Sequence, residues 1–549
     1  MDKLGRLGEE YFRLHFAGDP FQAGVFGVPG YEAEVPDPSR AAAARRHGEL
    51  ARLAAELATV DRGALDQENQ ISHAILSRLL RDEQRALRGG VTDVAVTASI
   101  AGPLAQVVST VPAGTGSDEA YLARLEKLGG FFDRHVERYR QAAADGRFPT
   151  ELGVRQAIAQ VDAYLATPIE RDPLLRPDAR VADIVASGVR PALVRFRMAL
   201  AEHLLPAGRT GERVGLCHVP GGTDAYLDLV RAYTTTELGP EEIHQIGLDV
   251  VAGLRAEFAE RGGRTLGTSD VDEVLVRLRE DPGLRFGTAQ EIVDTVTGAL
   301  RRAEDAVPDW FNSYDIAPCV VREMDPAEAE NSVLGYYIAP TVDGSRPGAH
   351  VVNTHRPDLR PRFEYEVLAF HESVPGHHLQ IAVAQSRDDL PLFRRFAFFD
   401  AHGEGWGLYT ERLSDEMGLF TSDLSRLGMV SFDAWRACRL VVDTGMHHLG
   451  WSRERAIAYM RANTALSETN IANEVDRYIA MPGQALAYMI GRLRIQQLRD
   501  RARVARGPAF DIRAFHHEVL AHGPLPLDTL EELIAARRTC ARNVARRPA

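Results

Sequence analysis

Cysteine is scarce in this 549-residue sequence, and its scarcity limits the kinds of site that the chain can build. The four cysteines, Cys217, Cys319, Cys438 and Cys540, are scattered without a C-x-x-C spacing. A disulfide framework and a cysteine-based zinc site are therefore not expected. We interpret Cys217, which directly precedes His218, as structural, because neighbours in sequence rarely form a catalytic pair.

Long hydrophobic runs are also missing. The first ten residues carry charges where a signal peptide needs an apolar stretch, and no run of about 18 apolar residues occurs anywhere. The sequence therefore predicts no transmembrane helix, and we expect a cytoplasmic protein. Positive charge is in deficit too, since the formal net charge is −13 and the sequence pI is about 5.8. Because an acidic surface repels phosphate backbones and anionic headgroups, neither nucleic acid nor a membrane is expected as a partner.

Three motifs of common enzyme classes are absent: the G-x-G-x-x-G dinucleotide fingerprint, the Walker lysine motif and the G-x-S-x-G nucleophile elbow. What the sequence contains instead is helical periodicity. Apolar residues recur at spacings of three and four through most of the chain, including 363–386, 404–417, 431–448 and 484–505. No repeat, low-complexity tract or Pro/Ser-rich linker divides the chain. We expect a mainly α fold in which residues 1–549 form a single large domain with two lobes.

One region favours β structure. Tyr336–Pro340 and Ala349–Thr354 are short β-favouring runs, joined by a turn-forming segment that contains Gly344 and Pro347. We expect a hairpin or small sheet here, just upstream of a histidine-rich segment. Its edge could pair with an extended peptide. Tyr337 and Asn353 are therefore candidate substrate-binding residues.

The segment His371–His378 has the composition of a zinc site. In the common helical H-E-x-x-H arrangement, two histidines one turn apart bind zinc and the glutamate acts as general base. Here proline occupies the position of the second histidine, and on an uninterrupted helix His378 would lie about 10 Å along the axis from His371. Because Pro375–Gly376 disrupts a helix, a local kink there could return one of the later histidines to the metal.

The second and third ligands follow from what lies after this break. Helix geometry leaves both His377 and His378 open, while the Gly-His order favours His377 and gives His378 a supporting or substrate-facing role. Glu404, 27 positions after His377, begins a helical pattern and is flanked by glycines that permit close backbone approach, so we expect it to be the third ligand. His402 and Glu411 are alternatives, for ligation and for support of a ligand respectively.

The expected cofactor is one Zn²⁺ per chain. Iron or manganese is an alternative, since two histidines and a carboxylate also suit non-haem iron. Glu372, directly after His371, favours zinc hydrolysis, in which it would serve as general base.

The segment His371–Gln380, followed by Gly403–Tyr409, resembles the bacterial DUF885 family. Further similar stretches are Glu330–Tyr337, Arg439–His447 and Asp476–Tyr488, so the resemblance extends over most of the chain. It implies a mostly helical, two-lobed fold with a deep central cleft, similar to the gluzincin-like metallopeptidases. A shared fold does not fix the substrate.

Catalysis at such a site needs a donor for the oxyanion besides the metal. Tyr478 and Tyr488 are the candidates, because they flank a Pro-Gly-Gln turn on a late helical segment, where comparable helical metallopeptidases supply a tyrosine or histidine. His447 could stabilise the transition state, and Arg439 could hold a substrate carboxylate through two hydrogen bonds. Pairing of Arg439 with Asp443, four residues later, is the structural alternative.

The sequence thus predicts a zinc metallohydrolase, a peptidase or amidohydrolase acting on short peptides or acyl-amino-acid amides. Small substrates are favoured because a deep cleft excludes folded proteins. Two alternatives stay open: a metal-assisted lyase or tailoring enzyme of a biosynthetic pathway, and a non-catalytic metal- or small-molecule-binding protein on the same scaffold. The His371–Glu372 pair argues against the second, since a binding protein needs the ligands but no general base.

Overall fold

The computed structural model describes residues 2–114, 116–330, 333–340 and 346–544. They form a mainly helical protein with a small three-stranded sheet, which confirms the predicted fold class. The chain divides into two compact units. Unit 1 comprises Met1–Leu229, Gly445–Ala456 and Asn473–Pro482. Unit 2 comprises Val230–Thr444, Ile457–Ala472 and Gly483–Ala549. No helix among the described residues is long and apolar enough to cross a membrane.

The first helices of the chain build unit 1. They are α1 (Lys3–Gly18), α2 (Pro20–Phe26), α3 (Arg40–Leu57), α4 (Gln67–Gly89), α5 (Pro103–Thr110), α6 (Asp118–Ala144), α7 (Glu151–Ala166), α8 (Ala179–Ile184) and α9 (Arg190–Ala199). Helix α6 is typical of them. Its N-cap Ser117 accepts a hydrogen bond from the Ala120 amide, and its apolar stripe buries Phe132 against Phe196 of α9, with ring centroids 5.6 Å apart.

The remaining helices lie in unit 2 or include residues of both units. They are α10 (Gly222–Thr234), α11 (Pro240–Thr265), α12 (Val271–Glu280), α13 (Ala289–Trp310), α14 (Pro326–Ala329), α15 (Tyr365–Glu372), α16 (His377–Gln385), α17 (Leu392–Arg395), α18 (Asp400–Glu416), α19 (Asp423–His447), α20 (Arg453–Asn463), α21 (Glu468–Ala480), α22 (Ala487–Arg506), α23 (Ile512–Leu520) and α24 (Leu527–Val544).

The sheet belongs to unit 2 and has the strand order β1-β3-β2. Strand β2 (Gly335–Ile338) pairs with β3 (Gly348–Val352) in antiparallel register, which confirms the predicted hairpin; residues 341–345 of its connection lie outside the described residues. Strand β1 (Cys319–Glu323), which the sequence analysis did not predict, pairs with β3 in parallel. Because β3 is central, every one of its residues is buried.

Helix α15 is the element of unit 2 that leads into the histidine-rich segment. It is buried along nearly its whole length rather than along one apolar stripe, and its buried residues include Glu366 and His371. Its Phe370 packs against Phe420 with ring centroids 5.2 Å apart, and its Tyr365 hydroxyl donates to the Asn353 carbonyl after β3. These contacts fix the helix whose last residues are His371 and Glu372.

Candidate metal centre

The helix break expected at Pro375–Gly376 is present. Helix α15 ends at Glu372, a short turn with a cis Val374–Pro375 peptide follows, and α16 begins at His377. Gly376 is required at this turn, because a Cβ there would lie 1.9 Å from the His371 carbonyl oxygen. Six residues of straight helix would separate His371 and His377 by about 9 Å along the axis. Instead their ring centroids lie 4.6 Å apart.

Three predicted ligands come together at this turn. His371, His377 and Glu404 each offer one ligand atom, and these atoms all lie within 4.8 Å of one another. Oε2 of Glu404 is 3.7 Å from Nε2 of His371 and 3.4 Å from Nε2 of His377. Tetrahedral zinc with bonds of about 2.1 Å places its ligand atoms about 3.4 Å apart. The donor set and its spacing therefore fit a zinc ion.

Glu411 orients the first of these histidines. Its Oε1 lies 2.8 Å from Nδ1 of His371, and its side chain is fully buried. A ligating histidine commonly directs its second nitrogen at a carboxylate, which fixes the ring and leaves the other nitrogen for the metal. Glu404 and Glu411 are seven residues apart on α18, so both face α15. That spacing is the sequence signal that marks Glu411 as the support for a ligand.

The charges of the cluster suit a cation. Burial by itself lowers the pKa of His371, but the nearby carboxylates of Glu404 and Glu411 raise it to about 9. Burial raises the pKa of Glu404, yet the nearby imidazoles of His371 and His377 hold it well below its usual value. Glu404 is therefore an ionised carboxylate, the form in which it binds a metal.

Glu372, the predicted general base, ends α15 directly after His371. Burial raises the pKa of its carboxyl, and the charges of His371, His377 and Arg436 act in the opposite direction. Its carboxyl thus lies within electrostatic range of the ligand cluster without being one of the three clustered ligands. Sequence reasoning did not single out Arg436 for this position.

The glycines of α18 serve two different contacts. A Cβ at Gly405 would lie 2.5 Å from Cα of Gly491, so this glycine permits the close crossing of α18 and α22. A Cβ at Gly407 would lie 2.6 Å from Cε1 of His371 and 2.9 Å from both of its ring nitrogens. The second glycine therefore makes room for the ring of a candidate ligand. Sequence analysis foresaw the close backbone approach but not the space for His371.

His378, the alternative ligand, lies outside the three-residue cluster. Its Nδ1 is 3.0 Å from the Tyr337 hydroxyl, and its Nε2 is 3.0 Å from the Ala317 carbonyl oxygen. Both ring nitrogens are thus used within the protein, and burial lowers the pKa of His378 to about 4. His378 also lines a cavity of ≈ 580 Å³, together with residues such as Phe311 and Leu379, that none of the three clustered residues lines.

The other predicted residues of unit 2 occupy distinct places. His402 has its Nδ1 3.2 Å from the Gln380 side-chain amide and its Nε2 3.2 Å from the Val519 carbonyl oxygen, so its ring links helices within the core. The Asn353 amide donates to two main-chain carbonyls, at 2.8 and 3.0 Å, and fixes the loop after β3. Tyr488 of α22 lies under the Arg439 guanidinium, whose carbon is 4.4 Å from the ring centroid.

Two predicted catalytic residues, Tyr478 and His447, belong to unit 1, whereas the clustered ligands belong to unit 2. The Tyr478 hydroxyl donates to Glu474. The two ring nitrogens of His447 contact main chain, with the Leu216 amide donating to Nδ1 at 3.2 Å and Nε2 3.0 Å from the Tyr478 carbonyl oxygen. Through these hydrogen bonds both residues hold neighbouring parts of unit 1 in place. The catalytic roles of both stay predictions.

The fold and this cluster describe a helical protein with a candidate mononuclear metal centre, and comparison with known proteins gives its family. The chain belongs to the DUF885 family, described as bacterial protein of unknown function, whose model matches residues 20–534. No curated protein is significantly similar to the chain. The resemblance inferred from the histidine motif is thereby confirmed.

Two solved structures share the fold. One is described as "the putative lipoprotein from Colwellia psychrerythraea"; it is 26% identical, has a TM-score of 0.89, and the match covers 98% of this chain and 99% of that one. The other is described as a "putative lipoprotein of unknown function from Shewanella oneidensis", with 16% identity, a TM-score of 0.77, and coverage of 97% and 100%. At 16% identity the second likeness concerns the fold alone.

Proposed function

We propose that this protein is a zinc-dependent hydrolase that cleaves an amide bond in short peptides or acyl-amino-acid compounds. The observation that carries the proposal is the convergence of His371, His377 and Glu404 beside the partly buried Glu372. Two imidazoles and one carboxylate leave one tetrahedral position open, as catalytic zinc sites require. A zinc ion held there would polarise the substrate carbonyl and lower the pKa of water.

Residues of the chain would supply proton transfer, ligand orientation and oxyanion stabilisation. Glu372 accepts the proton of the attacking water at its carboxylate and then delivers it to the leaving nitrogen. Glu411 holds Nδ1 of His371, so that the ring does not have to be oriented during turnover. Tyr488 is the candidate in unit 2 for hydrogen bonding to the oxyanion.

The metal content of purified protein tests the site. We expect close to one zinc per chain in the wild type, and its loss in His371→Ala, His377→Ala and Glu404→Ala. His378→Ala is the matched control, because it removes a neighbouring buried histidine that lies outside the cluster. Iron or manganese at the same stoichiometry would correct the metal but keep the site. Wild-type protein that holds no metal, even after zinc is supplied, would contradict the proposal.

Turnover separates the hydrolase from a binding protein. Glu372→Gln keeps the shape of the side chain but not its basicity, so we expect it to retain zinc and to lose about 10²- to 10⁴-fold in kcat. The assay follows amine release from a panel of short peptides and N-acyl amino acids. A metal-loaded wild type that releases no amine, while Glu372→Gln behaves identically, would favour a lyase or a non-catalytic metal-binding protein.

A further inference from the structure

Two buried arginines of α19 lie close to the candidate metal centre. The side chains of Arg436 and Arg439 are 5% and 3% exposed. Both guanidinium carbons lie over the ring of Trp435, at 4.2 and 4.6 Å from its centroid, and Arg439 also lies over Tyr488. Both guanidinium groups thus pack against aromatic rings of this helix, and Arg439 also packs against a ring of α22.

Contacts between helices of unit 2 bring this part of α19 alongside the helix that carries Glu404 and Glu411. Asp433, one turn before Arg436, pairs with Arg412, the residue that follows Glu411 on α18. Tyr488 lies one turn before Gly491, where α22 crosses α18 beside the candidate ligand.

Electrostatic interactions agree with this packing. The positive charge of Arg436 acts on the carboxyl of Glu372 at the end of α15 and on that of Glu364 at its start. Arg436 therefore lies within electrostatic range of both ends of the helix that presents the general base.

The packing of these two guanidinium groups against aromatic rings suits them to bind a planar anion. Aromatic rings contact the face of a guanidinium, whereas its five N–H donors point outward in its plane. One arginine can therefore serve several acceptors at once and grip a carboxylate with two parallel hydrogen bonds. A stacked guanidinium is also pre-oriented, so it loses little side-chain freedom when the anion binds.

We propose that Arg436 and Arg439 bind a free carboxylate of the substrate, so that the enzyme acts on amides whose leaving amino acid carries an unblocked α-carboxylate. The inference rests on the proposed hydrolase function and narrows its substrate to carboxyl-terminal residues of short peptides or to N-acyl amino acids. A carboxylate two bonds from the leaving nitrogen would be held beside Glu372, which must protonate that nitrogen.

Paired probes test this inference on zinc-loaded protein. The probes are N-acetylated dipeptides with a free carboxyl terminus and the same dipeptides as carboxamides. Because hydrogen bonds to charged groups contribute about 1.5–3 kcal/mol, we expect the wild type to prefer the free acid by at least about tenfold in kcat/KM. Arg436→Met should abolish that preference, chiefly by raising KM for the acid, while the zinc content stays unchanged.

The matched control is Arg426→Met, the same substitution earlier on α19 at an arginine that pairs with Asp415 and Asp423. It should keep the wild-type preference. Equal cleavage of acid and carboxamide by the wild type would overturn the carboxylate inference and leave the hydrolase standing. If neither probe is cleaved, the proposed function fails. Calorimetry then tests the carboxylate inference alone, by comparing the affinity for N-acetyl amino acids with the affinity for their amides. Equal affinities would overturn the inference.

Discussion

Gly407→Ala is the substitution that tests the metal centre most directly, since it adds one methyl group against the ring of a candidate ligand. That Cβ would lie 2.6 Å from Cε1 of His371, a ring 3% exposed and held 2.8 Å from Glu411. The ring must move, which breaks its alignment with the carboxylate and shifts Nε2 away from Glu404. Loss of such outer support alone costs about 10- to 100-fold in metal affinity, and we expect at least that loss here.

The stability of the metal-free protein should change much less. Overpacking a dense core costs about 1–3 kcal/mol, while alanine in place of a helical glycine contributes about 1 kcal/mol in the opposite direction. Competition with a chromophoric chelator gives the zinc affinity, and thermal unfolding in chelator gives the metal-free stability. The control is Gly403→Ala on the same helix, where the Cβ would meet the exposed Phe398 ring at 3.3 Å and Oε1 of Gln380 at 4.0 Å. Equal zinc affinity in the two variants would refute our placement of the metal at His371.

Three further substitutions test separate parts of the structure. Glu411→Gln should weaken zinc binding by about 10- to 100-fold, whereas Glu416→Gln, at a half-exposed carboxylate of the same helix, should leave it unchanged. Tyr488→Phe should lower kcat by about 10²-fold at constant zinc content if its hydroxyl supports the oxyanion, and unchanged kcat would remove it from the mechanism. Burial raises the pKa of Glu364 to about 7 against the opposing charges of Arg285 and Arg436, so its stabilising contribution is present below its ordinary pKa of 4.5 and is lost as pH rises through 7. Glu364→Gln should therefore raise the thermal midpoint relative to wild type at pH 8 but not at pH 4.5, and an equal difference at both would contradict that assignment.

Local pattern was enough to predict most of the fold of the site. Apolar spacing predicted the helices on either side of the histidine segment, and Pro375–Gly376 predicted the break between them. The β-favouring runs predicted the pairing of β2 with β3. Each of these features depends on side chains close together in the sequence, which is where periodicity and turn chemistry carry information.

Features that depend on distant partners were not predictable in this way. Strand β1 is only five residues long and gains its partner, β3, from 29 positions later in the chain (348 − 319). The placement of Tyr478 and His447 in unit 1 follows from two short segments that return to that unit. Sequence proximity to a motif therefore predicted which residues cluster, whereas the catalytic roles of Tyr478 and His447 stay predictions.

A purely structural role for the cluster would have to explain why glycine occupies two positions that contact His371. Gly376 and Gly407 lie on different elements, yet a Cβ at either would collide with His371, at its carbonyl oxygen in one case and at its ring in the other. Burying a histidine between Glu404 and Glu411 gains little stability as a bare ion pair, because desolvation offsets the attraction. A divalent cation changes that balance, because it supplies positive charge to carboxylates that are already out of water. Its coordinate bonds offset the free-energy cost of their desolvation. We therefore attribute the close accommodation of His371 to the metal that we propose at this site.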